Sequence, residues 1–208
     1  MTSNGFREQN RRYKVRPGFR APHLTQAADG LPRRGFTNDD VAKMIEIGVI
    51  DPDEFFELIK GEIVPMNAEY DRHARARARI VRIFNRALGD EWLVATETSL
   101  LLADNIEFKP DLHVFAASIK TDEVRGSDVL LAVELSSTTQ RKDLEIKAPI
   151  YAEHGVRELW VIDLDARTGI IFDRIENGAH APGRPVAADE ALSPHAFPAI
   201  TLKISDLY

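Results

Sequence analysis

The most constraining stretch of this chain is the apolar run Val129-Leu130-Leu131-Ala132-Val133-Glu134-Leu135. A short continuous run of this kind, bounded by polar segments, has the length and composition of a strand buried on both faces and central in its sheet. Pleating puts Val129, Leu131, Val133 and Leu135 on one face and Leu130, Ala132 and Glu134 on the other. A carboxylate in such a strand is costly to bury unless something pairs with it. A second carboxylate stands at the head of another expected strand, Asp111 in Lys109-Pro110-Asp111. Asp111, His113 and Phe115 share one face of that strand. If the two strands are neighbours, Asp111 and Glu134 point into one cleft. Their mutual repulsion is then resolved by a divalent cation.

The segment after the run adds a base. Ser136-Ser137-Thr138-Thr139 supplies a turn and an N-cap, and the helix that follows is expected to reach about residue 154, with Gly155 as its cap. Pro149 inside it is a candidate kink. Asp143, Lys147 and Tyr151 recur at four-residue spacing and share a helix face. Lys147 could reach the cleft, where a lysine orients an attacking water or neutralises charge on a scissile phosphate. The plainer alternative is that Lys147 pairs only with Asp143 on a solvated face.

Composition narrows the chemistry. The chain of 208 residues holds no cysteine, so disulfides and thiolate metal sites are excluded. A metal would be held by oxygen or imidazole donors, which for carboxylates suits Mg²⁺ or Mn²⁺. No apolar stretch approaches the length of a membrane span, and the polar N-terminus lacks the core of a secretory signal, so a cytoplasmic protein without membrane contact is expected. The net charge of −6 is unevenly spread. Residues 1–35 carry eight Lys/Arg against two acids, leaving 19 Lys/Arg against 31 Asp/Glu in the rest. This basic N-terminal arm has no periodic apolar face and reads as irregular, either a solvated tail or a contact for polyanions.

Residues 36–208 read as one domain. Thr37 can cap a first helix whose buried face is Val41, Met44 and Ile45, with Ile47 a further candidate, and a hairpin is expected with strands at 54–59 and 62–66. Residues 70–88 form the clearest helix. At 100° per residue, Ala76, Ile80, Ile83, Phe84 and Ala87 make its apolar face, with His73 at the N-terminal end of that face. Arg72, Arg75, Arg79, Arg82 and Arg86 fall in an adjoining stripe, which is either a solvated face or a phosphate contact. Strands follow at 92–97, 100–102, 106–109, 111–115 and 129–135, then at 157–164, 170–175 and 200–204 after the second long helix. This order predicts an α/β or α+β sandwich around a mixed central β-sheet flanked by helices.

The joint pattern resembles a known family. Glu57-Leu58-Ile59-Lys60-Gly61-Glu62, His73, Pro110-Asp111, Glu134-Leu135-Ser136-Ser137-Thr138-Thr139, Asp143, Lys147, Tyr151 and Gly155-Val156-Arg157-Glu158-Leu159-Trp160-Val161-Ile162-Asp163 match the Uma2-like proteins (DUF820) of the PD-(D/E)XK restriction-endonuclease-like superfamily. The resemblance covers about residues 36–208 and implies a restriction-endonuclease-like core with a Mg²⁺-dependent hydrolytic site. It makes Asp111 the metal-binding aspartate and Glu134 the second carboxylate. Glu62 would be the acid of the early hairpin, binding metal directly or through water, and His73 the histidine that opens the long helix. The superfamily's lysine two positions after the second carboxylate is replaced here by Ser136, and the resemblance assigns the lysine to Lys147. Glu57 and Tyr151 are read as structural. The implied activity is an endonuclease acting on nucleic acid, DNA by analogy, with Mn²⁺ as a substitute metal and a homodimer as the expected assembly. The alternative is a non-catalytic nucleic-acid-binding or homo-oligomeric assembly protein on the same fold.

Overall fold

The computed structural model describes residues 24–26, 31–66, 71–136 and 140–208. Residues 1–23 of the basic arm and the Ser137–Thr139 turn therefore lie outside the described residues. The described end of the arm is regular: β1 (Leu24–Gln26) and β2 (Pro32–Arg34) pair antiparallel. Helix α1 (Asn38–Glu46) opens on a capping box, in which Thr37 and Asp40 each bond the other's backbone amide at 3.1 Å. Two otherwise orphaned N–H groups are satisfied in this way.

The hairpin of β3 (Phe56–Ile59) and β4 (Glu62–Pro65) turns at Lys60-Gly61. Both turn residues have positive φ, 50° and 87°, the combination whose twist matches that of the flanking strands. Helix α2 (Asp71–Ala87) buries Ala76, Ile80 and Phe84. Strands β5 (Trp92–Ala95), β6 (Leu100–Ala103), β7 (Ile106–Phe108), β8 (Leu112–Ala116) and β9 (Leu131–Ser136) come next. The chain then forms a helical turn, α3 (Gln140–Lys142), a π-helical stretch (Asp143–Lys147) and α4 (Ala148–Glu153). Pro149 sits in the first turn of α4, where its missing N–H costs little, and the wider π turn precedes it. The expected kink is thus a local change of helix type. The remaining elements are β10 (Leu159–Asp163), β11 (Thr168–Phe172), β12 (Ile175–Glu176), β13 (Ala179–His180), β14 (Arg184–Val186), β15 (Ala191–Leu192), β16 (Leu202–Lys203) and a closing 3₁₀ turn at Ile204–Leu207.

The mixed central sheet is six-stranded, in the order β14-β11-β10-β9-β8-β5. Strand β9 lies inside it, parallel to β10 and antiparallel to β8, and every one of its residues is buried. The parallel pair is closed by the α3–α4 crossover, as parallel pairing requires. On one face, Leu131, Val133 and Leu135 pack with Leu112, Val114, Trp160 and Ile162 against Ala76, Ile80 and Phe84 of α2. On the other, Ala132, Phe115 and Val161 pack with Ile150 and Tyr151 of α4 and with Leu100 and Phe108. Those last two come from a separate four-stranded sheet, β4-β3-β7-β6. The early hairpin is therefore part of a second layer on the α4 side. Its position is set by β3 pairing with β7, Leu58 opposite Glu107, a contact that no local pattern announces.

Candidate active site

Strand β9 carries Glu134 on the face covered by the α3–α4 crossover and by the second sheet. There the Tyr151 hydroxyl donates to Glu134 Oε1 at 2.5 Å, and Lys147 Nζ lies 2.6 Å from the same oxygen. Lys147 also donates to Glu57 Oε1 at 2.7 Å, with Asp143 Oδ1 at 4.0 Å. Glu57 stands on β3. Its second oxygen accepts from Lys142 at 2.7 Å, and the Lys109 amide approaches its first at 3.2 Å. Only 3% of the Lys147 side chain reaches solvent, and none of that of Glu57 does. The cluster thus sets three carboxylates around one buried ammonium, with a second lysine behind it.

Asp111 enters from the next strand. The register pairs Leu112 with Val133, so Asp111 stands one step beyond, beside Glu134 and Leu135. The Leu135 amide donates to Asp111 Oδ2 at 2.8 Å. A side-chain oxygen there takes the amide, and β8 begins at Leu112, one residue later than the sequence pattern suggests. The other oxygen, Oδ1, faces Arg77 Nη1 at 3.3 Å and His73 Nδ1 at 3.5 Å. Both come from one face of α2, the face whose next turns are Ile80 and Phe84.

Burial and like charge set the protonation of this cluster. Glu134 is pushed up to about 8, first by burial and then by Asp143, Glu57 and Asp111, against the pull of Lys147. Burial opposes the charge of Lys147, yet Glu134, Glu57 and Asp143 outweigh it and raise the ammonium above its ordinary value. Burial likewise opposes the charge of Glu57, but Lys147 and Lys142 hold its carboxyl below the usual range. Burial and Glu134 raise the Tyr151 phenol well above its ordinary value, so it stays a hydrogen-bond donor.

The model of the Uma2 family, described as "Putative restriction endonuclease", matches residues 40–205. The chain belongs to the Uma2 family. A solved structure described as a putative nuclease belonging to DUF820, from Anabaena variabilis, superposes with a TM-score of 0.63 at 18% identity, covering 83% of this chain and 97% of that one. The type IIG restriction endonuclease BpuSI gives a TM-score of 0.41 at 14% identity, over 65% of this chain and 18% of that one. No curated protein matches the chain. The mixed α+β fold of this Uma2 protein is that of the solved putative nuclease from Anabaena variabilis.

Within that fold Asp111, Glu134, Lys147 and His73 are brought together, and Glu62 is not. Glu62 is exposed at the hairpin end of β4, opposite Ile59. The acid that the early hairpin delivers to the cluster is Glu57, five residues earlier and buried, which sequence reasoning treated as structural. The one local signal for Glu57 was an acid between two apolar residues, Phe56 and Leu58, in a short strand. Arg77, Glu97 and Lys142 were also missed. The arginine stripe of α2 lies elsewhere: Arg72 pairs with Asp165, Arg75 with Asp71 at 2.6 Å, and Arg79 approaches the Asp206 carbonyl at 3.4 Å. Arg82 and Arg86 are exposed. A groove of about 350 Å³ runs between Thr37–Asp39, Leu101–Asp104 and Arg125, lined by none of the clustered acids.

Ser136 is buried on Glu134's side of β9, its hydroxyl 3.4 Å from the Ile162 carbonyl. Lys147 addresses that same face from the covering helix. Among the described residues no group of three or more His, Asp and Glu side chains closes into a metal cage. Two carboxylates completed by water are the donor set that Mg²⁺ accepts, since it keeps much of its hydration shell. Asp111 and Glu134 are donors of that kind.

Proposed function

We propose that this protein is a Mg²⁺-dependent endonuclease that hydrolyses phosphodiester bonds, with DNA as its substrate. The observation that carries the reading is Lys147, 2.6 Å from Glu134 although it arrives from a helix and not from β9. Two acids and a lysine thereby meet beside β9 despite Ser136.

Asp111 and Glu134 would hold the cation. When bound, it would supply Lewis-acid charge at the phosphate and lower the pKa of a coordinated water. Lys147 is held charged, so its role is to donate a hydrogen bond and positive potential to the water or the phosphate, not to accept a proton. Glu57 and Lys142 fix the lysine's position, and Tyr151 fixes the orientation of Glu134. The basic arm would offset the repulsion between an acidic domain and the nucleic-acid backbone. A homodimer in the cytoplasm would allow two cuts from two sites.

The test is incubation of the pure protein with supercoiled plasmid and with single-stranded DNA in Mg²⁺, Mn²⁺ or EDTA. The expected result is nicking in either metal and none in EDTA. Asp111→Asn and Glu134→Gln, each verified as folded by circular dichroism, should lose more in rate than the roughly ten- to hundredfold that removing a ligand's hydrogen-bond partner costs. Full activity in either variant would discard this site. A second reading, a non-catalytic nucleic-acid binder, draws on the way Lys147 and Arg77 already neutralise the carboxylates. It requires DNA binding in EDTA and no cleavage at any metal concentration.

A further inference from the structure

The two oxygens of Asp111 are used unequally. Oδ2 is tied to β9 by the Leu135 amide, whereas Oδ1 is the side that Arg77 and His73 approach. The same Arg77 Nη1 lies closer, at 2.9 Å, to Glu97 Oε1. One guanidinium nitrogen is thus shared between a carboxylate of the site and a carboxylate beyond it. The Arg77 side chain is 13% exposed and that of Glu97 is 40% exposed, so the contact runs from the interior to the rim.

Glu97 is also unusual in its backbone. Its φ is +50°, a region that residues bearing a Cβ rarely adopt and that recurs beside functional sites. Its amide donates to the Pro110 carbonyl at 3.1 Å, next to Asp111. Glu97 is therefore attached twice to the same neighbourhood: through its backbone to the segment that carries Asp111, and through its carboxylate to Arg77. Any residue can donate the amide bond. A carboxylate draws the guanidinium away from Asp111 more strongly than a neutral acceptor would.

We infer that Glu97 is a positioning residue which, by holding Arg77, sets how readily Asp111 takes up a divalent cation; this rests on the metal-dependent reading above. A cation at Oδ1 competes with a guanidinium already there, and like charges repel over a few ångströms. Glu97 relieves that competition by giving Arg77 a second anion. Without the Glu97 charge, Arg77 closes on Asp111 and excludes the metal. Without Arg77 as well, the competitor is gone and the loss is reversed.

Mn²⁺ uptake, followed by the electron paramagnetic resonance of the free ion, reads this without DNA or turnover. Glu97→Gln should weaken Mn²⁺ binding roughly three- to tenfold, the size expected of a half-exposed charge pair. Arg77→Met should bind at least as tightly as the wild type. The double variant should return to wild-type affinity or better. A purely structural role for Glu97 would instead make the double variant weaker than Glu97→Gln. That result, or an unchanged affinity in Glu97→Gln, overturns the inference while leaving the metal site of the wild type standing. A wild-type protein that takes up no Mn²⁺ overturns the proposed function and this inference with it.

Discussion

The carboxylate–lysine cluster beneath β9 and the arginine stripe of α2 are equally rich in charge and are built on opposite terms. Glu57, Glu134 and Lys147 are almost sealed from water. Arg75 and Asp71, at 2.6 Å, are 70% and 77% exposed. The two groups belong to opposite faces of the central sheet, since α2 packs on the face of Leu131 and Val133 and Glu134 points to the other. In the cluster, water cannot solvate a charge that loses its partner, so each group depends on the others. In the stripe, water screens every pair and each arginine stands alone. Short ion-pair distances occur in both, so distance alone does not separate a site from a decorated surface. Burial does.

Removing the lysine should break this contrast most visibly. Lys147→Met keeps much of the side-chain volume and leaves Glu57, Glu134 and Asp143 around an uncharged chain. Breaking one side of a buried pair costs about 3–5 kcal/mol, against under about 0.5 kcal/mol for an exposed arginine truncated to alanine. Urea unfolding measures the difference. Adding Glu57→Gln should recover part of the loss, because the carboxylate held ionised beside the missing ammonium is gone. An unchanged midpoint in Lys147→Met would mean that the cluster is hydrated and no different in kind from the stripe.

A smaller effect lies in the pH dependence. The Glu134 carboxyl is raised from 4.5 to about 8, chiefly by burial. The folded protein therefore keeps a proton that the unfolded chain has released. The stability this proton confers is fully present below 4.5 and is lost as pH rises through about 8. Glu134→Gln has no such proton to lose. The stability difference, wild type minus variant, should fall steadily from pH 5 to pH 8 in urea titrations. A difference independent of pH would show Glu134 titrating as it does in water. Glu57, held low by its two lysines, stays ionised through this window and does not contribute to the slope.

What could be read without coordinates divides along the same line between near and far. The run ending in Glu134-Leu135 announced a central strand because every position in it is constrained by its own neighbours. The apolar face of α2 and the placement of His73 on it followed from 3.6-residue periodicity in the same way. Lys147 was reachable because helix spacing joins it to Asp143 and Tyr151. Glu57 was not, since its place depends on β3 crossing to meet β7 and on that sheet folding over α4. Glu62 and Glu57 sit in the same hairpin, and only tertiary packing decides which is buried. Arg77 was passed over because a single arginine at the far edge of the apolar face carries no periodic signal. The π turn at Asp143–Lys147 has a local cause in Pro149, but its consequence for Lys147 needed the partner strand.

The stripe itself offers the smallest effect and the sharpest negative. At 100° per residue its members lie roughly 140–180° round the helix from Arg77, the arginine that does face Asp111. Three of them already engage Asp165, Asp71 and the Asp206 carbonyl. Arg82→Ala combined with Arg86→Ala should therefore leave stability within about 0.5 kcal/mol and should not change the salt dependence of DNA binding. For every duplex phosphate that a protein stops neutralising, the slope of log affinity against log salt falls by about 0.9. A slope reduced by close to two units would make Arg82 and Arg86 partners of the nucleic-acid backbone and would place nucleic acid across the α2 face as well. An unchanged slope leaves phosphate contacts to basic residues outside this stripe, and the exposed arginines of α2 remain a solvated face.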